Sequence, residues 1–376
     1  MSEVLRASAF HARTATANRS NAWVTRNGVT LASVYTDANE EVLAARTRIG
    51  MVDLGARWQL MLEGPRVVPF LQQLLTRDVS GLLPGTALKA LWLADAGGVR
   101  GAAAIARFGT DSFWFLSASP DFAWIRAAAG LFDVALREIS ADRSGLAIIG
   151  PYAGATLGNA GIDPDLSHLA FRKVFWRGLD VILSRLGEQG GYELWCEADD
   201  GIIAWDRIAQ AGAAFGIAPV GAAAMDVLDV EAGIPRPYRD YIPATETGAC
   251  EPSPRGLGFE SLVDPDHLVF NGRQEFLQAP TPAAPRLVGV EIDADRAASH
   301  TPLFVDGRVM GHTLSSHYSP CLRRAIALAR IAESEAKPGT QLSLTLPSCL
   351  EWPELRVARA TVVALPFLGR PDSLAE

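Results

Sequence analysis

A chain of 376 residues with 49% hydrophobic and 20% charged residues reads as a well-cored globular protein of two or three domains. Its formal net charge of −8, with no basic tail and no aromatic-plus-basic stripe, argues against a non-specific nucleic-acid binder, because neutralising phosphates needs a basic face. The N-terminus lacks the apolar core of a signal peptide, no apolar run reaches membrane length, and Cys196, Cys250, Cys321 and Cys349 form no close pair, so a cytoplasmic protein with reduced thiols is expected.

In chain order, "EEVLAARTRIGMVDL" predicts a helix, with Leu43, Ala44, Thr47 and Ile49 as an approximate stripe and Gly50 as its stop. "WQLMLEGPRVVPFLQQLLTRDV" reads as strand, turn and helix, with Pro65 at the first helical position, where a missing N–H is harmless. Two strands then flank "DAGG", and "FGTD" supplies a second turn. "DFAWIRAAAGLFDVALREIS" predicts helix then strand, and "SGLAIIGPYAGATLGNAG" repeats the strand–Gly–Pro–helix order of residues 60–75, suggesting two related α+β halves.

A second block pairs two strands around "LGEQGG". Next comes "GIIAWDRIAQAGAAFG", a helix with Ile203, Ile208 and Ala211 on one face and Asp199 and Asp200 as caps. "AAAMDVLDVEAGIPRPY" is helical until Gly233 and Pro235. "APTPAAPR" at 279–286 is a stiff linker, and the short strands beyond it suit a β-barrel or sandwich of about 90 residues. Between two of those strands, "GHTLSSHYSP" is expected as a polar loop.

Several of these stretches carry a resemblance. "GRVMGHTLSSHYSPCLRRAIALARI", "KPGTQLSLTL" and "ARATVVALPF" look like the C-terminal domain of glycine-cleavage T-proteins. Upstream, "EGPRVVPFLQQLLTRDVSGLLPG", "ADAGGV", "AIIGPYAGATL", "GGYELW", "PVGAAAMDVLDVEAGIP" and "RGLGF" fall in that family's order, so the likeness runs from about residue 35 to the end. The resemblance implies an α+β fold in a three-domain cloverleaf with a C-terminal β-barrel and tetrahydrofolate as cofactor. Residues 1–278 would form the folate-binding α+β region, two intertwined domains, and 287–376 the barrel domain.

Carried over residue by residue, Glu193 in "GGYELW" matches the glutamate that hydrogen-bonds the pteridine. A carboxylate suits that edge, whose adjacent N–H groups are both donors, and the flanking glycines would let a ligand approach. Tyr192, Trp195 and Phe259 are the further cofactor-binding candidates, with Trp176 another aromatic, although core packing is the default for any of them. The family's tyrosine ahead of this glutamate is unmatched, and "GEQGGYE" is closer to the dimethylsulfoniopropionate demethylase branch.

Other positions depart. Gly101 and Ala102 stand where aminomethyl-transferring members carry carboxylates. Met225 and Asp229 replace two arginines, and "DLGARWQ" replaces "D-V-S-H-M-G". Asp226 and Glu231 remain, Glu231 fitting a structural or a ligand role equally. What survives is transfer of a methyl or other one-carbon group to folate from a small methylated donor, a step that needs alignment and exclusion of water. Tyr238 and His317 are the catalytic candidates, while Arg236, Arg239 and Tyr318 would bind substrate, the arginines by holding a carboxylate. Formaldehyde transfer or elimination, and folate binding without catalysis, stay open as alternatives. No metal is expected, since the six histidines form no H-E-x-x-H or close pair, and no dinucleotide fingerprint occurs. Neither nucleic acid nor membrane is expected as a partner.

Overall fold

The computed structural model describes residues 5–244, 253–278, 285–295, 298–346 and 356–369. The chain divides into two compact units, one holding residues 1–90 and 101–225, the other 91–100 and 226–369. The division passes through the helix Ala222–Glu231.

The first unit is built on two larger sheets and a small one. The six-stranded sheet runs in the order Phe171–Trp176, Leu179–Ser184, Tyr192–Glu197, Arg143–Ile149, Gly50–Asp53 and Ala218–Val220. Only its last pair is parallel. The five-stranded sheet runs Ala87–Leu93, Val99–Gly109, Ser112–Ser117, Trp58–Glu63 and Ala135–Glu138, the tips of its first two strands lying in the 91–100 segment. Alternation along the Tyr192–Glu197 strand sends Leu194 and Cys196 into one core, with Leu146, Leu157 and Ile208 of neighbouring elements. Trp195 goes to the opposite core, among Trp114, Ala104, Ala106 and Ile182.

Helix starts follow local chemistry. Asp37 caps Ala38–Thr47 by accepting from the N–H groups of Asn39 and Glu40 at 2.9 and 3.0 Å, a contribution of about 1 kcal/mol. That helix ends at Thr47, and Gly50 instead opens a buried strand. In Gly201–Gly212 the buried positions are Ala204, Trp205 and Ile208, whereas Ile203 is exposed. Asp199 and Asp200 form a short turn of 3-10 helix, and Asp200 makes no side-chain cap. The larger Trp205 takes the core position that the expected stripe gave to Ile203.

The second unit contains a closed six-stranded barrel, in the order Arg286–Ile292, Arg324–Ile331, Arg308–Ser319, Pro302–Val305, Gln341–Leu346 and Arg356–Val363. Its interior is filled by Val290, Ile292, Ala325, Ala327, Ala329, Leu344, Ala360 and Val362. The expected loop "GHTLSSHYSP" is not a loop. Through Ser319 it belongs to the longest barrel strand, whose pairing with Arg324–Ile331 shifts register between Thr313 and Ser316. The hydroxyls explain the difference. Thr313 Oγ1 donates to the Ala298 carbonyl and Ser316 Oγ to the Ile326 carbonyl, while Ser316 Oγ accepts from Ala298 N–H, so side chains satisfy backbone groups at the irregularity.

Candidate functional site

Two clusters of buried charge stand out, one in each unit. In the first unit Glu193 is only 3% exposed. Ser184 Oγ donates to its Oε2 at 3.2 Å, and Trp195 Nε1 donates to the same oxygen at 3.3 Å. Glu193 pairs across the sheet with Ser184 on one side and Ala147 on the other, so the serine is its direct cross-strand neighbour. Among the described residues no donor is paired with Oε1, which faces Gly187. A Cβ at Gly187 would stand 3.1 Å from Oε1 and meet nothing else closer than 3.6 Å. The missing side chain leaves room for a donor group of a ligand beside a fixed acceptor. The flanking Gly191 has a packing role instead: at φ +68° its Cα lies so close to the Ile148 carbonyl that an added Cβ would be 2.3 Å from it.

The neighbours expected to join Glu193 behave differently. Trp195 is fully buried and meets Trp114 edge-on at 5.4 Å, so it serves as a hydrogen-bond donor inside a core and not as an open aromatic wall. Tyr192 points to the other face of the strand, its ring beneath the Arg185 guanidinium at 5.3 Å. The structure therefore does not bring Tyr192 to the Glu193 carboxylate. Trp176 packs in that same opposite core and donates to the Ala160 carbonyl at 2.8 Å. Ala102 lies, by alternation, on the face of Ala104 and Ala106 that packs toward Trp195, and its carbonyl accepts from Ser117 Oγ at 2.9 Å.

In the second unit the charges are closed on one another. Arg236 forks onto Asp229, both contacts at 2.7 Å. Arg239 reaches Asp226 at 2.7 Å and Asp240 at 2.9 Å. Asp240, whose side chain is entirely covered, also accepts from the N–H groups of Arg236 at 2.7 Å and Ser315 at 3.0 Å, which ties the 234–240 turn to a barrel strand. Glu231, fully buried, accepts from Ser319 Oγ at 2.6 Å. Both arginines expected to grip a substrate carboxylate thus hold carboxylates of their own chain. The sequence offered no signal for this pairing beyond Asp229 standing where the family has arginine.

His317 lies on the Arg308–Ser319 strand, half-buried. Burial lowers its proton affinity below the usual imidazole value, only partly opposed by Asp226, Asp240 and Asp229, while Arg239 lowers it further. Tyr238 is 69% exposed, with left-handed backbone at φ +62°. Phe259 meets Tyr241 edge-on at 6.3 Å. Tyr318 lines a separate open cleft of about 660 Å³ on the barrel, with Arg323, Arg324, Arg356 and Arg359. No group of three or more histidine, cysteine or acidic side chains among the described residues could hold a metal ion. No helix among them is long and apolar enough to cross a membrane.

Sequence reading missed one more buried group, Asp53. It accepts from Ser8 Oγ and from Gly55 N–H at 2.7 Å, and burial pushes its carboxyl up to about 6. It pairs with Leu146 and Glu193 lies level with Ala147, so alternation sends the two carboxylates to opposite faces of the sheet.

Residues 8–251 match the GCVT N-terminal domain and residues 286–368 the glycine cleavage T-protein C-terminal barrel domain. An aminomethyltransferase of Geobacillus thermodenitrificans is 32% identical over 352 residues, covering 90% of this chain and 92% of its own. One of Thermotoga petrophila is 29% identical, covering 89% and 90%. The solved structure of the glycine cleavage system aminomethyltransferase T from Bartonella henselae superposes with a TM-score of 0.85 at 21% identity, covering 97% of this chain and 99% of that one, a likeness of fold. That family uses tetrahydrofolate as its one-carbon acceptor. With both domain models matched and a relative at 32% identity along almost its whole length, the chain belongs to the glycine-cleavage T-protein family.

Proposed function

We propose that this chain is a tetrahydrofolate-dependent one-carbon transferase whose donor is a small methylated molecule and not an aminomethyl-bearing carrier. The observation that carries the cofactor half is Glu193. Its carboxylate is held at one oxygen by Ser184 and Trp195 while the other faces the gap over Gly187. That arrangement fits a flat ligand edge with adjacent N–H donors, as the reduced pterin has. When bound, tetrahydrofolate supplies a nucleophilic nitrogen, N5, to which the one-carbon unit passes. Glu193 would orient the pterin, and its almost complete burial would keep water from competing for the carboxylate.

The donor half rests on Gly101 and Ala102, which leave no carboxylate where aminomethyl-transferring members have one. Methyl transfer from a sulfonium or quaternary ammonium needs no proton at the leaving group, so alignment suffices. Methylation of N5 releases its proton, and His317 is the residue we assign to accept it, because burial favours its neutral form. Arg236 and Arg239, committed to Asp229, Asp226 and Asp240, act in this reading by shaping the second unit and not by gripping substrate. Incubation with tetrahydrofolate and a panel of methylated sulfonium, amine and aryl-ether compounds should yield 5-methyl-tetrahydrofolate. An aminomethyl-lipoyl carrier should release no ammonia. Robust ammonia release with no turnover of the panel would reverse the proposal.

A further inference from the structure

Among the described residues, several buried carboxylates have both oxygens engaged. Glu41 accepts from Tyr35 and Thr36 N–H groups with Oε1 and from Gly221 N–H with Oε2, all within 3.0 Å. Asp53 uses both oxygens on Ser8 and Gly55, and Asp229 uses both on Arg236. Glu193 differs from these: two donors converge on Oε2, and Oε1 is left toward Gly187. A free carboxylate rotates about its last bond and presents either oxygen. Two donors on one oxygen stop that rotation and fix which lone pairs a ligand meets.

We propose that Ser184 and Trp195 are positioning residues for the cofactor, acting only through Glu193, and that Gly187 keeps the hydrogen-bonding space at Oε1 open. The inference rests on Glu193 being the pterin anchor. Ser184 is fully buried on the adjacent strand, and Trp195 is fixed by its edge-on contact with Trp114 at 5.4 Å, so neither donor can move away when a ligand arrives. Both therefore prepay the orientation of the acceptor before binding. Gly187 has no left-handed backbone to protect, and its Cβ-less state serves the space and not the chain conformation.

The test is a calorimetric titration of tetrahydrofolate into the full chain carrying Ser184→Ala, Trp195→Phe or Gly187→Ala, with the serine and tryptophan changes repeated on a Glu193→Ala background. Ser184→Ala and Trp195→Phe should each weaken binding about five- to tenfold alone, and neither should weaken it further once Glu193 is gone. The cycle cancels any loss of packing at Trp195. Gly187→Ala should weaken binding at least as much with an unchanged melting temperature. Equal losses with and without Glu193, or no loss with Glu193 present, would overturn the positioning role. Glu193→Ala with wild-type affinity would instead overturn the anchor itself, an outcome readable without either neighbour's variant.

Discussion

The Glu193 site and the Asp226–Asp240 cluster both bury carboxylates and use them in opposite ways. In the first, one buried carboxylate is held from one side and open on the other. In the second, Asp226, Asp229 and Asp240 are bound by Arg236 and Arg239 at 2.7 to 2.9 Å. A buried charge closed by its own chain has no acceptor left for a ligand, and one held at a single oxygen keeps an acceptor to offer one. Composition cannot tell them apart, because the difference lies in which oxygen faces which donor.

The comparison breaks first at Asp240. Asp240→Ala removes the acceptor for Arg236 N–H, Arg239 and Ser315 N–H at a fully covered position, and leaves Arg239 with Asp226 alone of the two carboxylates it holds within 3 Å. A loss of about 3–5 kcal/mol in urea unfolding is expected. A loss below about 1 kcal/mol would mean that the cluster is not scaffold.

Asp53 sharpens the comparison from the other direction, as a buried carboxylate without a cation pair. Burial raises its carboxyl from 3.8 to about 6, against the opposing bonds from Ser8 and Gly55 and the charge of His11. A raised value means the folded state binds the proton more tightly. The associated stability is complete below pH 3.8 and is lost as pH rises to about 6. Asp53→Asn should therefore stabilise the protein above pH 6, by up to about 3 kcal/mol at roughly 1.36 kcal/mol for each tenfold change in proton affinity. It should change little near pH 4. Chemical denaturation at the two pH values checks this, and an equal effect at both would contradict it.

The smallest effect is at His317, where the sign is reversed. Its lowered proton affinity penalises the folded state as pH falls below the ordinary imidazole value of 6.5. Replacing it with glutamine should flatten the acid side of the stability curve and leave pH 8 almost unchanged. Turnover with the active methyl donor should fall several-fold if His317 handles a proton, and should stay at the wild-type rate if it does not.

Much of the fold was legible because many short stretches agreed in order: the barrel strands alternate, and Pro and Gly punctuate the α+β region. "GHTLSSHYSP" was misread because threonine and serine look like loop residues. In the strand their hydroxyls instead replace backbone partners at a register shift. At the site, Glu193 could be singled out from "GGYELW", but Ser184 could not. The serine reaches it only through strand pairing, which short-range pattern does not reveal. Trp195 was visible as an aromatic and invisible as a donor, since its role depends on full burial between two sheets. Arg236 and Arg239 looked like substrate ligands because their carboxylate partners lie 1 to 13 positions away and carried no motif of their own.

The central claim is that Glu193 holds the reduced folate, and calorimetric titration of tetrahydrofolate into wild-type and Glu193→Gln protein tests it most directly. Glutamine keeps the shape but removes the charge, so affinity should fall by about 1.5–3 kcal/mol, roughly ten- to a hundredfold, with the melting temperature nearly unchanged. Equal affinity in the two proteins would contradict the account.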